Sequence, residues 1–178
     1  MSAPGLGDFA VVSAGGAVGP LISLGEFLDG SGFTQWDHAF VYVGAKQIVQ
    51  TNPGGAREVQ ITDWRAGRAD ALWSTGAIEL TGSQRAAICA AAIGYAARNV
   101  HYSSLDYLAL AAHRLHLPVP WLQHFIADTG HMICSQLVDQ CYRDAGVQLF
   151  SDHRWPGYVT PADLGELIEG RSALAAGG

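Results

Sequence analysis

A chain of 178 residues is long enough for one domain with its own core, and residues 1–178 are read as a single unit. Hydrophobic residues make up 49% and charged residues 15%, which excludes a disordered polyelectrolyte. A net charge of -6, with Lys46 the sole lysine, excludes the basic footprint of a nucleic-acid-binding protein.

The N-terminus, Met1 to Gly5, lacks the charged n-region and apolar core of a signal peptide. No apolar run reaches the length that spans a bilayer. The expected place of action is therefore the cytoplasm, or the outside after delivery by a phage or a secretion apparatus. Gly7 to Val12 is a short apolar run behind a turn signal and predicts a first strand. Gly15 to Gly32 is Gly-rich with scattered apolar residues and reads as a loop carrying a short helix. It lacks the Gly-Lys pattern of a phosphate cradle.

Phe40 to Val43 is β-branched and aromatic, so a strand is expected, with His38 at its start. Gly44 to Gln47 turns the chain into Ile48 to Thr51 as a hairpin. Asn52 to Gly55 closes that strand, Glu58 to Ile61 opens the next, and Ala71 to Trp73 adds a short one. Consecutive strands with tight connections predict an antiparallel meander.

The character changes at Ser83. Ser83 to Asn99 is Ala-rich and free of Pro, with a cap at Thr81 or Ser83, and reads as a buried helix. Leu105 to Leu117 predicts another, stopped by Pro118-Val119-Pro120. Trp121 to Ala127 reads as a short helical turn or loop wall. Within Gly130 to Gly146, Leu137, Val138, Cys141, Tyr142 and Ala145 recur at the spacing of one helix face, and Cys134 opens that helix. Thr160-Pro161-Ala162-Asp163 carries the cap, first-turn proline and acid of a last helix through Leu164 to Ile168. The expected class is α+β, an antiparallel sheet packed against helices.

Cys134 is the residue that carries chemistry. A thiol in a first helical turn meets unpaired backbone N–H groups and the positive end of the helix dipole, both of which favour thiolate. The competing reading is a small buried hydrophobe, the usual state of a free cysteine. Three cysteines, an odd count, fit a reducing compartment. Cys134 and Cys141 stand about 10 Å apart on a helix, too far for a disulfide. Cys89 reads as core. His113 and His116 share helical spacing, but no third ligand accompanies them, so neither metal nor other cofactor is expected.

These residues, in this order, resemble the circularly permuted branch of the NlpC-type, papain-fold cysteine peptidases, the YiiX-like group. Gly7-Asp8, Asp37 to Gly44, Ile48 to Thr51, Leu80-Thr81, Tyr102 to Asp106, Ile133 to Val138 and Thr160 to Leu164 carry the likeness over nearly the whole chain. The resemblance implies a permuted papain-like fold, with Cys134 as nucleophile, His38 as general base and Gln50 as the residue orienting the imidazole. The permuted enzymes often have Glu where this chain has Gln50. A neutral Gln fixes the tautomer of the ring but gives the imidazolium no counter-charge. Asp37 reads as a solvated turn residue, and His131 is a rival base.

The resemblance implies hydrolysis of cell-wall peptide amides through a thioester, with a small peptide as substrate. The similar lecithin:retinol acyltransferase group shares the permuted order, so an acyl lipid is the alternative, with Leu117, Val119, Trp121 and Phe125 as a cleft wall. A binding protein with an impaired thiol is the third reading. Nothing in the sequence sets the oligomeric state.

Overall fold

The computed structural model describes residues 3–13, 36–52, 54–62, 71–100, 133–152 and 159–176. Five strands form one antiparallel sheet: β1 (Phe9–Val12), β2 (His38–Gly44), β3 (Gln47–Asn52), β4 (Gly55–Gln60) and β5 (Leu72–Trp73). Among the described residues three helices accompany them: α1 (Gly82–Ala97), α2 (Cys134–Asp144) and α3 (Pro161–Ala176). The sheet order is β4-β3-β2-β1-β5. β1 to β4 form the expected meander, and β5 departs from it by pairing with β1 on the opposite edge. The architecture is α+β. The readings for Gly15 to Gly32, Leu105 to Leu117, Trp121 to Ala127 and His131 lie outside the described residues.

β1 is buried on both faces, which explains its unbroken apolar run. Phe9 and Val11 join Ala39, Val41 and Val49 beneath the helices, while Ala10, Val12, Phe40 and Ile48 form a second cluster on the other face. α1 brings Ile88 and Ala92 to the helical side, α2 brings Leu137, Val138, Cys141 and Tyr142, and α3 brings Leu164 and Ile168. The expectation of a buried α1 is corrected: only Ile88, Cys89 and Ala92 are buried, because one alanine-rich face lies open to solvent. Its cap is Thr81, in a reciprocal capping box with Gln84.

Two connections differ from expectation. β4 begins at Gly55, earlier than Glu58, because Gly55 already pairs with Asn52 at the end of β3. Gly55 takes φ 94°, and a Cβ there would lie 2.5 Å from Asn99 Oδ1 beyond the end of α1. Only glycine meets both conditions. α3 runs on to Ala176, well past Ile168, despite Gly165 and Gly170 inside it.

The N-terminal loop is fastened by Asp8, which is 1% exposed. Its Oδ1 pairs with Arg85 Nη1 of α1 at 2.7 Å, and its Oδ2 accepts from the Gly5 N–H and the Thr75 hydroxyl, each at 2.8 Å. Nearby, the buried Tyr142 hydroxyl donates to the Gly7 carbonyl at 2.8 Å, tying α2 to the same loop.

Candidate active site

The sheet supplies one half of the site. β1 and β2 pair with His38 opposite Val12, so His38 stands at the end of that ladder. The β2–β3 register sets Val41 opposite Val49, which carries Gln50 opposite Phe40 and diagonal to His38. Diagonal cross-strand positions lie within reach of long side chains. The ring Nε2 of His38 meets Gln50 Oε1 at 2.7 Å. Because an amide oxygen only accepts, Nε2 carries the proton and Nδ1 is left for another partner.

α2 supplies the other half. Its N-cap is Ile133, in extended conformation, with no capping side chain at that residue. Gln136 Oε1 instead reaches back to the Ile133 N–H at 3.2 Å. The first-turn N–H groups thus remain for Cys134, the opening residue of the helix. The thiol is hydrogen-bonded to His38 and to the backbone N–H groups of Ala39 and Ser135.

The electrostatics follow from these contacts. Burial pushes the Cys134 thiol up, but the His38 charge, its hydrogen bond and the two backbone donors outweigh it and hold the thiol below the ordinary range. For His38, burial pulls the imidazole down. The facing thiolate, the hydrogen bonds the ring donates to Cys134 and Gln50, and the Asp37 carboxylate raise it above its ordinary value. Burial pushes Cys89 and Cys141 upward instead, and both are free thiols.

Cys134, His38 and Gln50, singled out from the sequence, are thus brought together. Asp37, read as a solvated turn residue, is half-buried, and its charge favours the His38 imidazolium. The Ala39 and Ser135 donors carry no sequence signal, since any residue has a backbone N–H. Among the described residues, no group of three His, Cys, Asp or Glu side chains is placed to hold a metal ion. No described helix is long and apolar enough to cross a membrane. His113, His116, Leu117, Val119, Trp121 and Phe125 lie outside the described residues.

No protein-family model matches the chain, and no curated protein matches it either. What the protein does must be read from the geometry of Cys134, His38 and Gln50.

Proposed function

We propose that the protein is a thiol hydrolase that cleaves peptide-type amides, of the cell-wall kind, by acyl transfer through Cys134. We further propose that its α+β core is the permuted papain-like fold implied by the order of its His strand, Gln strand and Cys helix. The observation that carries the reading is the Cys134–His38 hydrogen bond, with His38 held from its far side by Gln50 at 2.7 Å. A helix-start thiol, a facing imidazole and an orienting amide are the parts of an activated nucleophile.

The Cys134 sulfur attacks the substrate carbonyl carbon, and the Cys134 backbone N–H donates to the oxygen that becomes negative. The His38 imidazolium gives its proton to the leaving amine as the C–N bond breaks, leaving a thioester on Cys134. Water then adds to the thioester with neutral His38 taking its proton, and expulsion of the Cys134 thiolate restores the ion pair. Gln50 holds the ring in one tautomer through both halves.

Incubation with purified wall peptides and, separately, with phospholipid or acyl-thioester substrates tests the substrate class. The expected result is a new amine terminus in the peptide, lost in Cys134→Ala. Release of fatty acid without peptide cleavage would overturn the peptide assignment and leave the roles of Cys134 and His38 in place.

A further inference from the structure

Cys134 and His38 belong to elements far apart in the chain, yet both are tied to one short stretch, residues 159–165. Ser135, next to Cys134, is fully buried and donates its hydroxyl to the Val159 carbonyl at 2.6 Å. Trp36, two residues before His38, lies against Gly165 of α3. A Cβ built on Gly165 would fall on the indole, in contact with Cδ1, 2.7 Å from Nε1 and 3.2 Å from Cγ. An interior glycine weakens a helix, so its presence where the indole lies is explained by that close approach.

The stretch between these two ties is closed by its own hydrogen bonds. Thr160 donates to Asp163 Oδ2 from its N–H at 2.8 Å and its hydroxyl at 2.7 Å, and the Asp163 N–H returns to Thr160 Oγ1 at 3.1 Å. Val159 and Leu164 are fully buried, and Ile168 continues the same buried face.

We infer that Ser135 and Gly165 are positioning residues and that the start of α3 is a brace setting the spacing of Cys134 and His38. Ser135 bound to Val159 holds the nucleophile side, and Trp36 lying on Gly165 holds the base side. This inference rests on the Cys–His reading proposed above. Were the two ties plain packing, loosening them would lower the melting temperature and leave the behaviour of the thiol alone. A brace predicts that the thiol changes too.

The test is the rate of Cys134 alkylation by iodoacetamide against pH, with melting temperature, on the full chain. Ser135→Ala removes a single oxygen, and Gly165→Ala pushes the indole off the helix. Each is expected to move the acid limb about one unit toward the ordinary thiol range, a loss of about tenfold in rate along that limb. Gly170→Ala is the control, because a Cβ at exposed Gly170 meets nothing within 4 Å, and it should leave the profile unchanged. Ser135→Ala and Gly165→Ala variants that melt lower but keep the wild-type profile would overturn the brace while the Cys–His pair stands. A wild-type profile that His38→Ala does not alter would instead remove the pair, and the brace with it.

Discussion

Replacing His38 with Ala should slow peptide cleavage by about 10²–10⁴-fold, the usual worth of a positioned general acid–base. His38 is hydrogen-bonded to Cys134, and its charge is the largest influence holding that thiol low against burial. Gln50→Ala should cost less, since a neutral amide supplies orientation alone. The pH dependence follows from the two shifts. Thiolate is lost as pH falls through the depressed Cys134 value, and the imidazolium is lost as pH rises through the elevated His38 value. Activity should fill the window between them, and His38→Ala should remove its lower part by returning the thiol toward the ordinary range. Steady-state rates of the two variants across pH check this. Equal losses from His38→Ala and Gln50→Ala would contradict the division of roles.

Asp8→Ala should lower stability by about 2–3 kcal/mol, which for a chain of this size is a fall in Tm of roughly 5–10 °C. The carboxylate is 1% exposed and binds three groups from three segments. Its loss strands the Gly5 N–H and Thr75 hydroxyl, whereas the Arg85 side chain, 28% exposed, still reaches water. That exposure keeps the cost below that of a fully buried ion pair. Asp8→Asn keeps the shape without the charge and should fall between the two. Thermal melts followed by circular dichroism give the answer, and an unchanged Tm in Asp8→Ala would show that the loop does not depend on this carboxylate.

The parts of the site legible in the sequence are those with local pattern. His38 opens a run of β-branched and aromatic residues, Gln50 lies on the strand that follows a tight turn, and Cys134 begins a run with one apolar helix face. These features place the three residues on a strand, its hairpin partner and a helix start. Contacts between distant segments leave no such trace. Leu72 and Trp73 are as compatible with the β4 edge as with β1, so the jump of β5 across the sheet is invisible. An Ala-rich helix suits a buried or a half-exposed position equally, which is why α1 reads as core. Gly165 and Gly170 look alike as helix-weakening residues, although one lies under an indole and the other faces solvent. Asp37 is adjacent to His38 in the chain and its charge can only favour the imidazolium, but its half-buried place beside the ring has no local signal.

The central claim, that Cys134 is a nucleophile activated by His38, is tested most directly by competition among the three thiols. Cys134 is only 1% exposed, so the label must be small, such as methyl methanethiosulfonate or iodoacetamide. At about pH 6.5, roughly two units below the ordinary thiol value, unactivated cysteines are nearly all protonated. Peptide mapping of partially labelled protein should find Cys134 modified first, well ahead of Cys89 and Cys141, and His38→Ala should abolish that lead. Labelling of Cys89 or Cys141 before Cys134, or a Cys134 rate indifferent to His38, would contradict the account.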